Sequence, residues 1–143
     1  MTRLLVIGGS DAGITAALRA REIDPDAAVT VLVADAFPNH SICGLPFYLS
    51  GEVADWRTLA HRTTEEIGRV GIDLLLEHTA RAIDPVGKTV AVSDAAGQSQ
   101  SLPYDRLVIA TGAVPVRPPI AGLDRPGVHL LHSMDDGFRL HQY

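Results

Sequence analysis

The sequence predicts a three-layer α/β domain, with a parallel sheet and a small antiparallel β-meander. Three observations lead there. The apolar run Leu4-Leu5-Val6-Ile7 enters a glycine turn, Gly8-Gly9-Ser10-Asp11-Ala12-Gly13, and apolar residues at helical spacing follow it. A β-branched segment at 29–33 comes next, so strand, turn, helix and strand succeed one another as in a β-α-β unit. A second buried-type run, Leu107-Val108-Ile109-Ala110, ends in Thr111-Gly112 after a stretch of short strands punctuated by turns.

Each element has a local reason. Residues 3–7 have the continuous apolar character of a parallel strand covered on both faces. Ile14, Ala17 and Leu18, with Ile23 further on, have helical spacing, and Asp24-Pro25 ends the helix because the residue before proline avoids the helical region. Thr63-Thr64-Glu65-Glu66 spells a capping box opening a helix towards Val70, and Leu74–Leu76 reads as another sheet strand. Strands at Ala80–Asp84 and Thr89–Ser93 flank Pro85-Val86-Gly87-Lys88 as a hairpin, and Ala95-Ala96-Gly97 forms the next turn. Val114 to Pro119 holds three prolines and is expected to be an extended connector. Ser133, with Asp136 three residues on, caps a final helix.

Composition limits the function. The 143 residues suffice for a single domain with one core, and 46% hydrophobic against 20% charged residues is globular composition. Twelve Lys+Arg against 17 Asp+Glu give a formal charge of -5, which argues against a nucleic-acid scaffold. No apolar run approaches a membrane span, and Gly8, Gly9 and Asp11 interrupt the first run too early for a signal peptide. The single cysteine, Cys43, cannot form an internal disulfide, so a free thiol in a cytoplasmic protein is expected.

Two segments carry chemistry. The glycine turn sits where a phosphate site belongs, after a buried strand and at the start of a helix whose free N–H groups face an anion. It departs from G-x-G-x-x-G because Ser10 replaces the middle glycine, and Asp11 brings a carboxylate close to the expected phosphate. An acid expected roughly 20 residues downstream for ribose hydroxyls falls on Val33, which leaves Asp35 as the nearest candidate. Cys43 allows two readings: a small buried hydrophobe, or a thiol activated where Gly44-Leu45-Pro46 starts a short helix.

Taken together, the Val6-Ile7-Gly8-Gly9…Gly13 start, the Ser41-x-Cys43-Gly44-Leu45-Pro46 segment and the Ala110-Thr111-Gly112-Ala113 motif resemble the N-terminal flavin-binding part of the pyridine nucleotide-disulfide oxidoreductases. The cysteine segment is most similar to the single-cysteine branch of NADH oxidases, NADH peroxidases and coenzyme A-disulfide reductases. Two-cysteine relatives place a second thiol where this chain has Tyr48. The resemblance implies a Rossmann-like domain binding FAD, with NAD(P)H as co-substrate. It gives the pyrophosphate to Gly8, Gly9, Ser10, Ala12 and Gly13 and the adenine to the main chain of Ala80, while the ribose is left to Asp35, main chain or water. Ser41, Thr111 and Gly112 complete the cofactor set, and Cys43 becomes the redox cysteine beside the flavin, cycling through sulfenic acid or a mixed disulfide. The implied acceptor is a small disulfide, a peroxide or oxygen, and the implied parent is a homodimer. Residues 1–143 then form the first part of a larger enzyme, which continues into nicotinamide-binding and dimerisation domains. A rival reading is a flavin-free binding module without turnover, which flavin colour separates from the first.

Some residues depart from the family pattern or stand outside it. Most members have glutamate where this chain has Val33. Coenzyme A-disulfide reductases carry adjacent basic residues near the end of the first helix, where this chain has Arg21-Glu22, leaving Arg19 and Arg21 as candidates for the coenzyme's phosphates. The six histidines lack metal-ligand spacing; His129 and His132 are expected in a solvated loop and His40 at the surface. Trp56 and Leu59 are expected to anchor a loop.

Overall fold

The computed structural model describes residues 1–143 and divides them into two compact units. The first comprises residues 1–39 and 62–112, the second residues 40–61 and 113–143.

In the first unit, strands β1 (Arg3–Ile7), β2 (Ala28–Leu32), β3 (Ile72–Leu75) and β7 (Arg106–Ile109) form a parallel sheet in the order β3-β2-β1-β7. Helix α1 (Asp11–Ile23) makes the crossover from β1 to β2 and stops at Asp24, one residue before proline, as expected. Strands β1 and β2 are buried on both faces, whereas β7, expected as a buried strand, is only half-buried at Leu107 and Val108 and exposed at Ile109, because it is the edge of the sheet. Val6, Val29, Val31 and Ile72 pack with Ile14 and Ala17 of α1 and with Ile67 of α3 (Thr64–Arg69). Leu5, Ile7 and Leu32 pack on the other side against Val90, Val92 and Tyr104. Those residues belong to the meander, in which β4 (Thr79–Asp84), β5 (Thr89–Ser93) and β6 (Ser99–Pro103) pair antiparallel in that order. Helices, parallel sheet and meander are the three expected layers.

Local chemistry shapes the connections. The Thr63 capping box is formed in both directions: Thr63 Oγ1 accepts from the Glu66 amide at 3.2 Å, and Glu66 Oε2 accepts from the Thr63 amide at 2.8 Å. Asp84 Oδ1 accepts from the Val86 and Gly87 amides and shapes the β4–β5 turn. The first and last strands of the sheet are tied at their starts, where Arg3 donates from its backbone amide, Nε and Nη2 to the Asp105 carboxylate. These bonds to Arg3, from the side chain first and then the backbone, hold the Asp105 carboxyl below the usual carboxylate range.

In the second unit, a 3-10 turn at Ile42–Gly44 leads into α2 (Leu45–Leu49), and another at Trp56–Leu59 follows. Residues 113–120 are exposed and belong to no helix or strand, the Ile120 amide donating to Pro118 O in a tight turn, and α4 (Met134–Gln142) is opened by the Ser133–Asp136 capping box. Leu45 is fully buried, and Gly137 of α4 lies so close that an added Cβ would come within 2.7 Å of Leu45 Cδ2. Tyr48 stacks on His141, and Phe138 meets both Tyr48 and Trp56 edge-on. Leu59 is buried and Trp56 half-buried, so both anchor this unit as expected. His129 and His132 are exposed. His40 corrects its expectation. It is half-buried, because it bridges Ala60 across an isolated β pair and sets its ring 5.8 Å from that of Trp56.

Candidate functional site

The sheet reverses its winding at β1: the chain moves outward through β2 and β3, then returns to the other side of β1 as β7. Crevices at the carboxyl ends of strands at such a switch point are where open α/β sheets bind ligands. A cavity of about 420 Å³ opens there, within the usual size range of ligand sites. Ile7 and Gly8 line it from β1, Leu32 and Ala34 from the end of β2, Ile109 and Thr111 from the end of β7, and residues 78–83 along β4. Strand β4 is held there by two backbone bonds to the end of β2, from Glu77 N to Asp35 O and from His78 N to Val33 O, both 2.9 Å. The His78 ring is fixed as well, with Nδ1 2.6 Å from Leu76 O.

The glycine turn is built for close approach. Gly8 has φ +116°, and a Cβ on it would lie 2.6 Å from the carbonyl carbon of Ala110. Gly9 rests on Val33, whose Cγ2 would be 2.6 Å from an added Cβ. Val33 is buried, so the position at which the spacing calls for an acid is here packing under the turn. Gly13 is buried against Gly8 and Val6, while Ser10 and Ala12 are exposed. Helices α3 and α4 both start with closed capping boxes, but the Ser10 side chain makes no capping bond at α1. The first amides of α1 therefore keep donors that an anion can use.

Asp11 does not spoil this arrangement. Its Oδ1 accepts from Asn39 Nδ2 at 2.8 Å, and the Asn39 amide donates to Gly9 O at 2.7 Å. Asn39 is 1% exposed and left-handed at φ 55°, a conformation asparagine tolerates. It latches the glycine turn and occupies the carboxylate. Its own Oδ1 is buried without a protein donor, which marks a place for a ligand hydroxyl or a water beside the turn.

The other expected residues fall as follows. Ala80 and Thr111 line the cavity, and Gly112 follows at φ 69° with open space around it. Asp35 stands next to Ala34 of the lining; its Oδ1 accepts from the Phe37 amide at 2.8 Å, and Oδ2 is the oxygen left for a ligand. Arg19 and Arg21 are both engaged. Arg19 pairs with Glu22 at 2.8 Å, while Arg21 donates to the carbonyls of Val70, Pro25 and Ala27 and staples the end of α1. Neither is held ready for a coenzyme's phosphates.

Within the second unit, Cys43 lies in the 3-10 turn that precedes α2 and is exposed, which excludes the buried-hydrophobe reading. Ser41 braces this turn: its amide donates to Leu59 O at 2.7 Å, and its carbonyl accepts from the Gly44 amide at 3.1 Å. Sequence reasoning missed Asn39 and Arg81. The Asn39 signal was present, since an asparagine after proline in a loop suits a left-handed turn. Arg81 gave none, because its place depends on a β-bulge. No group of histidine, cysteine and carboxylate residues could hold a metal, and no helix is long and apolar enough to cross a membrane.

Parallel sheet, glycine turn and switch-point crevice define a Rossmann-like α/β fold. The sequence matches the family described as pyridine nucleotide-disulphide oxidoreductase over residues 2–143, and the chain belongs to that family. It is 31% identical to an NADH oxidase of Methanocaldococcus jannaschii over 99% of this chain and 32% of that protein. It is 34% identical to an NAD(P)H sulfur oxidoreductase (CoA-dependent) of Pyrococcus furiosus over 99% and 31%. Among solved structures, an NAD-dependent persulfide reductase from A. fulgidus superposes with a TM-score of 0.90 at 38% identity, covering 98% of this chain and 26% of the other. The chain thus spans about a third of the length of the curated relatives it matches.

Proposed function

We propose that this chain is the FAD-binding part of an NAD(P)H-dependent oxidoreductase that passes electrons through Cys43 to a small acceptor. The observation that carries the reading is the switch-point cavity beside a helix start that lacks a side-chain cap. When bound, FAD would supply the hydride chemistry, relaying two electrons from NAD(P)H to the mixed disulfide or sulfenic acid that Cys43 forms with the acceptor. The α1 amides and the glycine turn would hold the pyrophosphate, Asp35 Oδ2 a ribose hydroxyl and the main chain of Ala80 the adenine. Thr111 and Gly112 would run along the flavin, with Ser41 bracing the cysteine turn. Cys43, exposed and therefore open to a small acceptor, would attack a disulfide or persulfide sulfur as the thiolate. For a disulfide, NAD(P)H and one proton yield NAD(P)+ and two thiols, and Cys43 returns to its starting state. The relatives' names supply the acceptor classes, oxygen in the oxidases and sulfur compounds in the sulfur oxidoreductases. The engaged states of Arg19 and Arg21 favour an acceptor other than one gripped by its phosphates at the end of α1.

The test uses an enzyme of the relatives' full length carrying this sequence. Cys43→Ser is expected to leave rapid bleaching of the flavin by NAD(P)H while abolishing disulfide or persulfide reduction. Disulfide reduction that survives the substitution removes the redox role of Cys43, and a purified protein without flavin absorbance removes the cofactor.

A further inference from the structure

We propose that Arg81 is a nucleotide-positioning residue of the switch-point cavity, selecting an adenine nucleotide over the uncharged nucleoside, with Ser93 fixing its guanidinium. The proposal rests on the reading that the cavity takes the adenylate half of a dinucleotide. Among the residues lining the cavity, Arg81 carries the one permanent charge, and no carboxylate faces it there. The remaining walls are mostly aliphatic, so this charge is the cavity's one permanent attraction for an anion.

The backbone explains how a charged residue comes to line this space. Strands β4 and β5 pair Ala80 with Val92 and then Ala82 with Ala91, so Arg81 is the extra residue of a bulge. A bulge breaks the alternation of faces and re-aims a side chain, and accordingly residues 78–83 line the cavity without interruption. Arg81 Nε donates to Ser93 Oγ at 2.7 Å, and Ser93 is itself only 8% exposed. That bond fixes the plane of the guanidinium and uses one of its five donors, leaving Nη1 and Nη2 for a ligand. A fixed planar cation both covers a purine face and attracts a phosphate, which a lysine ammonium does not reproduce.

The probe is ADP, which contains the adenosine and pyrophosphate of the dinucleotide; adenosine is the uncharged comparison. Binding to the whole chain is followed by amide chemical shifts at low and high salt. Wild type is expected to bind ADP more tightly than adenosine, with the preference shrinking as salt screens the charge. Arg81→Met is expected to weaken ADP about tenfold, as for loss of a charge-assisted bond, and to erase the preference over adenosine. Arg81→Lys is expected to keep the salt-dependent preference but lose part of the affinity, and Ser93→Ala to lose a smaller part. Arg81 is exposed, so its variants are expected to keep the wild-type denaturation midpoint. Unchanged ADP affinity in a folded Arg81→Met overturns the role of Arg81 and leaves the flavin reading standing. A wild-type chain that binds neither ADP nor FAD overturns both.

Discussion

Replacing Gly13 by alanine isolates the packing on which the glycine turn depends. In the interior of a helix this change normally stabilises, by about 0.5–1 kcal/mol, because glycine has more conformational freedom to lose. At Gly13 the geometry reverses the sign. A Cβ would fall inside the van der Waals boundary of Gly8 O, 3.0 Å from the carbonyl carbon of Gly8 and 3.2 Å from Val6 Cγ1. Two of these atoms are backbone, and the third belongs to a residue with no exposed surface, so no side chain can swing away. Relief requires α1 to move off β1, opening the contact that Val6, Ile14 and Ala17 share. Overpacking of this kind costs about 1–3 kcal/mol where the surroundings yield and more where they do not, so a loss of at least 3 kcal/mol is expected here. Gly68 of α3 is the control, because a Cβ there meets nothing within 4 Å. Gly68→Ala should be neutral or stabilising by up to about 1 kcal/mol. Urea denaturation of both variants gives the answer, through the midpoint at an unchanged slope. A Gly13→Ala protein as stable as wild type would refute the close helix–strand contact.

Other expectations follow from single contacts. Asn39→Ala removes the bond to Asp11 and leaves alanine in a left-handed conformation, and should destabilise by about 2 kcal/mol by urea denaturation; Asn39→Gly, which keeps the backbone, should recover part of it. Thr63→Ala opens the capping box of α3 and should cost about 1 kcal/mol by the same measurement. Arg3 holds Asp105 below the usual carboxylate range, so this pair favours the folded state above the unfolded pKa of about 3.9 and loses that contribution as pH falls further. Stability measured against pH should accordingly show a shallower acid limb in Asp105→Asn. Cys43 is exposed, so an aromatic disulfide reagent should titrate one thiol per chain without denaturant; a thiol reached only after unfolding would contradict its placement.

Much of the fold was legible because its signals are local. The continuous apolar strands, the proline stop after α1 and the S/T-x-x-E/D caps of α3 and α4 each depend on a few neighbouring residues, and each stands where it was expected. The glycine turn was legible for the same reason. What escaped depends on distant partners. Asp11 looked misplaced beside a phosphate because its partner, Asn39, lies 28 residues away. Arg21 looked available because its acceptors include Val70, 49 residues away. Arg81 lines the cavity through a bulge, and pairing irregularities leave no mark in an alternating pattern. The half-burial of His40 leaves no local mark, because its bridge partner, Ala60, is distant in the sequence.

The central claim is that the glycine turn and the switch-point cavity form one dinucleotide site. Titrating the isotopically labelled chain with FAD and following each backbone amide tests it most directly. The account predicts that the amides of Gly8, Gly9, Ala34, Ala80 and Thr111 shift together along one saturable curve, while the amide of Gly97, in the β5–β6 turn outside the lining, stays in place. Saturable binding that moves other amides and leaves this set unchanged, or no binding at all, would contradict it.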